Sequence, residues 1–316
     1  MQQPTQQQTQ QQAQQEAELN IGGINWLRWQ FSAPEGFLLQ GVRTPARGLP
    51  VLHFIHGNSY SGLTYLPLWQ QLAPSFDIFL HDAQGHGDSE HGGKFVGWNR
   101  SSELAAETWR HYAAEYPNVP HIGMGHSFGG ALTSLMSSAD QQLFTQLLLL
   151  DPMLFPPSMI RWALPLGRIG LNPVAKKARR RRMLWPDEKA AMDALRGRGM
   201  FRGWQEEALA AYVQHAMEGT SEGKQLKCLP EREAEIFSTY APKLWRDIRS
   251  VTVPTFVWIG KDTYPFLNKS MATWKAAHPN LSVNEIQGGH CFMQEDPATI
   301  AAQIRAVVAH QYKPKA

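Results

Sequence analysis

Two cysteines in 316 residues, Cys228 and Cys291, are too few and too far apart for a disulfide framework. They read as free, reduced thiols, and a cytoplasmic location is the expectation. No apolar run reaches the roughly 18 residues needed to cross a bilayer. The N-terminus has neither the basic start nor the apolar stretch of a secretory signal. Ten of its first fifteen residues are glutamine, so residues 1–20 are expected to be a disordered tail. Neither sign of charge dominates: 30 Lys and Arg stand against 27 Asp and Glu, a net +3. That balance leaves no footprint for nucleic acid. The twelve histidines lack metal-ligand spacing such as His-Glu-x-x-His, and two cysteines make no zinc site. Neither a metal nor an organic cofactor is expected.

What the chain does have is core material. Hydrophobic residues make up 43%, as in an ordinary globular protein. Trp26–Phe31 and Phe37–Val42, separated by Pro34-Glu35-Gly36, predict an antiparallel hairpin. Short, nearly continuous apolar runs follow at residues 50–55, 77–80, 121–124, 147–150, 255–259 and 281–286. Runs of this kind are strands covered on both faces. Helical patterns alternate with them, so the expected fold is α/β, a mostly parallel sheet with helices on both sides. The alternation breaks between residues 155 and 240, which read as helices without strands. The expected organisation is a core of residues 21–154 and 241–316, with a helical cap of residues 155–240 inserted between strands and covering the ends where ligands bind.

Chemistry concentrates at strand ends. His121-Ile122-Gly123-Met124 leads into Gly125-His126-Ser127-Phe128-Gly129-Gly130 and then a helical pattern, the build of a strained turn that lifts a serine above a sheet. Asp262 follows the run 256–259, and His290 follows the last strand in Gly288-Gly289-His290. Strand ends of a parallel sheet converge at one edge. A serine hydroxyl there needs an imidazole to take its proton and a carboxylate to orient that imidazole. His56-Gly57-Asn58 ends the first parallel strand, where the Asn58 N–H can join the Phe128 N–H as an oxyanion hole. Asp82-Ala83-Gln84-Gly85-His86-Gly87-Asp88-Ser89 ends the next.

Taken together, these motifs resemble the α/β-hydrolase superfamily, over about residues 25–308 apart from most of the cap. The resemblance is closest to the branch of serine esterases that includes monoacylglycerol-lipase-like enzymes. It implies Ser127 as nucleophile, His290 as general base and then acid, and Asp262 as the orienting carboxylate. Asp151, after the run 147–150, is the alternative acid, because some members supply it from that strand. Asn58 departs from the further glycines of one lipase branch, and Gln84 stands where an arginine is usual. The expected activity is hydrolysis of a small-molecule carboxylic ester with a lipid-like or apolar acyl group. The same triad could serve thioesters, amides, carbon–carbon bonds or acyl transfer. A different class of reading is a non-catalytic ligand- or membrane-binding protein on the same fold. Its motivation is the run Lys176, Lys177, Arg179, Arg180, Arg181 and Arg182, with Met183-Leu184-Trp185 beside it for insertion into an anionic membrane. The plainer reading of that run is a solvated cap face. His56 and His126 read as structural hydrogen-bonders, His86 as a turn residue, and Cys291 as packing.

Overall fold

In the computed structural model of the chain, residues 18–163 and 172–312 are described. The strands are β1 (Glu18–Ile21), β2 (Ile24–Ala33), β3 (Phe37–Arg43), β4 (Val51–Ile55), β5 (Asp77–His81), β6 (His121–His126), β7 (Gln146–Leu150), β8 (Leu184–Trp185), β9 (Met217–Thr220), β10 (Gly223–Leu226), β11 (Thr255–Gly260) and β12 (Leu281–Ile286). Among the described residues nine of them form one sheet in the order β1-β2-β3-β5-β4-β6-β7-β11-β12. From β5 to β12 the neighbours run parallel. The first three strands are antiparallel, with the expected hairpin pairing Trp29 to Gly41. The glutamine-rich stretch up to residue 17 lies outside the described residues. Glu18 to Asn20, expected to continue that tail, belong instead to β1, paired to β2.

The apolar runs are strands because both of their faces are needed. In β4, Leu52 and Phe54 join one buried cluster with Trp69 and Ile304, while Val51 and Ile55 join the other with Trp109 and Leu132. In β7 the split is Leu148 and Leu150 against Leu147 and Leu149. Each leucine so enclosed is worth about 1.5–3 kcal/mol of burial. Helices α1 (Leu66–Leu72) and α11 (Pro297–Gln311) pack on each other, and α2 (Trp98–Tyr112) packs on α3 (Phe128–Ala139). The remaining helices are α4 (Pro173–Arg179), α5 (Glu188–Leu195), α6 (Glu206–His215), α7 (Pro230–Phe237), α8 (Leu244–Ile248), α9 (Phe266–Lys275) and α10 (Phe292–Glu295).

The cap lies between β7 and β11 and carries α4 to α7, but it is not purely helical. β8, β10 and β9 form a small antiparallel sheet. These strands escaped the sequence pattern because they are two to four residues long and mostly polar or exposed. The alternative reading, insertion of Met183-Leu184-Trp185 into a membrane, is not served by Trp185. Trp185 is buried in the cluster that joins the cap to the core, and Arg182 lies over its ring at 5.2 Å. Arg181 likewise turns inward, bonding Glu233 at 2.9 Å and Tyr212 Oη at 2.6 Å. Lys176, Lys177, Arg179 and Arg180 remain exposed.

Buried histidines tie stability to pH. His53 lies in the core against Phe79 and Trp109, at 5.4 and 5.1 Å between ring centroids, and burial pushes it down to about 3. Burial pushes His56 down to about 4. Both are neutral when folded, whereas the unfolded chain takes up their protons below about 6.5. The stability they contribute is therefore complete above that value and is lost as pH falls toward 4 and then 3, at ~1.4 kcal/mol per unit for each group. Asp82 works the other way. Burial raises it to about 7, so its contribution is complete below its unfolded value of about 3.9 and is lost as pH rises toward 7. His53→Leu should flatten the acid limb of a urea-unfolding series between pH 6 and 4 by about 1.4 kcal/mol per unit. Parallel profiles for the variant and the parent would contradict this account.

Candidate active site

Ser127 stands between β6 and α3 with φ 53° and ψ −117°, a strained conformation for a residue with a side chain. Its neighbours two positions away explain how the turn is possible. A Cβ on Gly125 would lie 2.5 Å from the Gly129 carbonyl oxygen, and one on Gly129 would lie 2.0 Å from that of Ile55. The turn is pinned from both sides. Ser127 N–H donates to Leu150 O at 3.0 Å, and Met153 N–H donates to Ser127 O at 2.9 Å.

His290 comes to the serine from the loop after β12. Its Nε2 lies 2.9 Å from Ser127 Oγ. Its Nδ1 lies 2.5 Å from Asp151 Oδ2, not from Asp262. A carboxylate only accepts, so Nδ1 carries the proton and Nε2 faces the serine hydroxyl as an acceptor. The expectation for Asp262 is thus corrected. Its side chain is exposed, and its N–H donates to Gly288 O at 3.0 Å. Asp151 follows β7 directly, is fully buried and has φ 45°. The β11 loop, expected to supply the acid, supplies donors to it instead. Gly260 N–H donates to Asp151 Oδ1 at 3.0 Å, and the Thr263 hydroxyl donates to Oδ2. Folding Thr263 back over Gly260, with its N–H on the Gly260 carbonyl at 3.2 Å, aims the threonine inward and leaves Asp262 outside. Thr263 carried no signal in the sequence beyond its place next to a strand-end aspartate.

The segments that carry Asn58 and Phe128 are joined through the backbone, since Gly129 N–H donates to His56 O at 3.1 Å. Phe128 opens α3, so its N–H has no acceptor within the helix. The Asn58 side chain reaches the cap, with Nδ2 donating to Glu233 O at 3.2 Å. His56 accepts from Ala83 N–H at Nε2, 3.0 Å, and donates from Nδ1 to Gly57 O, 2.8 Å. Both nitrogens are used in a neutral ring, so His56 holds two loops together and is no second base. The lone approach of Asp82 to that ring, 3.8 Å, falls on a nitrogen already serving as acceptor. His86 is a buried member of the glycine-rich turn, with Nδ1 on Gln84 O at 3.0 Å.

Aromatic side chains pack against His290 and along the junction of core and cap. Tyr264, 46% exposed, packs edge-on against His290 at 5.0 Å and stacks on Phe266 at 5.7 Å, which stacks in turn on Phe155 at 5.7 Å. On the cap side Tyr60 meets Trp204 at 5.7 Å, and its hydroxyl donates to Met200 Sδ at 3.3 Å. Cys291, next to His290, is enclosed beside the Tyr60 hydroxyl at 3.3 Å, and burial pushes its thiol up to about 12. A thiol held protonated is a poor nucleophile. Among the described residues, no three His, Cys, Asp or Glu side chains gather as metal ligands, and no helix is long and apolar enough to cross a membrane.

Comparison with known proteins places this geometry. The model of the Alpha/beta hydrolase family matches residues 54–303. The abhydrolase domain-containing protein AKT2 of Alternaria alternata is 35% identical over 98 residues, covering 31% of this chain and 34% of that protein. The type I acyl-CoA thioesterase mpaH of Penicillium roqueforti is 38% identical over 96 residues, covering 30% of this chain and 20% of that protein. The chain thus matches no more than about half the length of these curated relatives. Among solved structures, E-2-(acetamidomethylene)succinate hydrolase superposes with TM-score 0.71 at 19% identity, over 90% of this chain and 99% of that one. The thioesterase domain from the curacin biosynthetic pathway gives 0.70 at 18%, over 89% and 99%. At such identity these two speak for the fold. Since the family model covers most of the sequence and the sheet, cap and elbow agree with it, the chain belongs to the alpha/beta hydrolase family.

Proposed function

We propose that the protein is a serine hydrolase of apolar acyl thioesters, with the corresponding carboxylic esters as poorer substrates. The observation that carries the mechanism is the pair of contacts of His290, 2.9 Å to Ser127 Oγ and 2.5 Å to Asp151 Oδ2. Ser127 attacks the carbonyl carbon while His290 Nε2 takes the hydroxyl proton. Asp151 holds the imidazole in the required tautomer and stabilises its positive charge. The N–H groups of Asn58 and Phe128 take the oxyanion. His290 returns the proton to the departing sulfur or oxygen, and water then releases the acid by the same steps reversed.

The preference for a thioester rests on two supports. Thioesterases recur among the relatives in sequence, as in the mpaH proteins of two Penicillium species. In addition, a thiolate departs with less help from a general acid than an alkoxide does. The apolar acyl group is suggested by the aromatic and thioether side chains nearby, Tyr264 on His290 with Phe266 and Phe155 stacked behind it, and Tyr60 with Trp204 and Met200 where core and cap meet. The test is turnover of matched S-alkyl and O-alkyl butyrates and decanoates, with thiol or alcohol release measured. Thioesters should exceed esters in kcat/KM by roughly tenfold or more, and Ser127→Ala should lower both by several orders of magnitude. Preference for the oxyester would refute the substrate choice and leave the serine mechanism standing.

A further inference from the structure

We propose that Tyr65 and His126 are positioning residues that fix the His290 loop, the elbow and the oxyanion loop relative to one another. This rests on the serine-hydrolase reading above. His126 is the last residue of β6, immediately before Ser127, and is fully buried. Its Nε2 lies 2.9 Å from the backbone carbonyl of His290, and its Nδ1 lies 2.7 Å from Tyr65 Oη. The hydroxyl of Tyr65 is also 3.1 Å from the N–H of Gly57, the residue before Asn58.

The directions of these bonds follow from chemistry. A carbonyl oxygen cannot donate, so His126 Nε2 carries a proton and donates to His290 O. Burial disfavours a charged ring at this position, so Nδ1 has no proton and accepts. Tyr65 then donates its one hydrogen to Nδ1, and its oxygen is left to accept from Gly57. The chain runs Gly57 N–H to Tyr65 O–H to His126 to His290 C=O, the first three members each donating once and the carbonyl accepting. Nothing is left unpaired.

The mechanical consequence is specific. Ser127 and His290 sit on separate loops, yet a rigid planar imidazole spans the residue before the serine and the backbone of the histidine. The same ring lies 4.8 Å from the His290 ring. Its neutrality matters, because a cation there would oppose the imidazolium that forms on His290 during acyl transfer. The Gly57 link adds the loop that presents the Asn58 N–H. Losses of catalytic geometry of this size act on kcat while leaving substrate affinity nearly untouched.

The experiment uses the full chain with p-nitrophenyl butyrate, measuring kcat, KM and the melting temperature. His126→Leu and Tyr65→Phe should each lower kcat by roughly 10- to 100-fold with KM changed less than about twofold. His126→Gln should recover most of the kcat lost in His126→Leu, because its amide N–H can still reach the His290 carbonyl. If the leucine variant fails to fold, Tyr65→Phe, which removes one oxygen atom, carries the test. A fall in melting temperature with kcat per folded molecule unchanged would overturn the proposal, as would a glutamine variant no better than leucine. Equal rates for the parent and Ser127→Ala would instead strike the serine-hydrolase reading itself.

Discussion

Ser127→Ala should lower kcat by a factor on the order of 10⁶ if the chemical step limits turnover. The size of the loss follows from what the hydroxyl does. Without Oγ there is no nucleophile for His290 Nε2 to activate, and the 2.9 Å contact has no proton to transfer. A residual rate above that of water should persist, because the Phe128 and Asn58 N–H groups still polarise a bound carbonyl. The substitution removes one atom from a nearly buried position, so the melting temperature should change little. Steady-state turnover of a butyrate thioester, with incorporation of a fluorophosphonate probe as a second readout, checks both points. A variant retaining a tenth of the parental kcat would exclude Ser127 as the nucleophile.

Asp151→Asn and Asp262→Asn separate the two aspartates that the sequence offered. Asp151→Asn should cost about 10⁴-fold in kcat, because an amide donating toward His290 Nδ1 forces the ring into the wrong tautomer. The proton then sits on Nε2, pointing at the serine it should accept from. The buried carboxylate also gathers the Gly260 N–H and the Thr263 hydroxyl, so its replacement unsettles the β11 loop as well. Asp262→Asn alters an exposed side chain, leaving its N–H on Gly288 O, and should change kcat/KM by no more than about twofold. The reverse ranking, measured on one substrate at one pH, would return the acid to Asp262.

Why the sequence favoured Asp262, when it is Asp151 that contacts His290, is instructive. Both residues follow parallel strands, β7 and β11, that lie side by side in the sheet. Motif and chain order are therefore satisfied by either. What distinguishes them is the course of a four-residue turn after Gly260, which sends Thr263 inward, and no periodicity encodes that. The serine and histidine positions were legible because a strand, a Gly-x-Ser-x-Gly turn and a helix leave a local signature. The sheet was equally plain, since doubly covered strands read as unbroken apolar runs. Tyr65 was invisible for the opposite reason: it lies in ordinary helix-flanking sequence, and its partners, Gly57 and His126, come from two other segments. The cap sheet was missed because Glu218, Gly219 and Lys224 break any alternation.

The bond from the Asn58 amide to the Glu233 carbonyl joins two parts of the molecule that evolution would be expected to tune separately. On the proposed mechanism, one governs how fast the carbonyl reacts and the other which molecules are admitted. With that tether in place, remodelling α7 to accept a new substrate also tugs on the loop that steadies the developing negative charge. Selectivity and turnover in this protein should therefore drift together under laboratory evolution, and chimaeras that borrow a foreign cap should lose rate even toward substrates both parents accept.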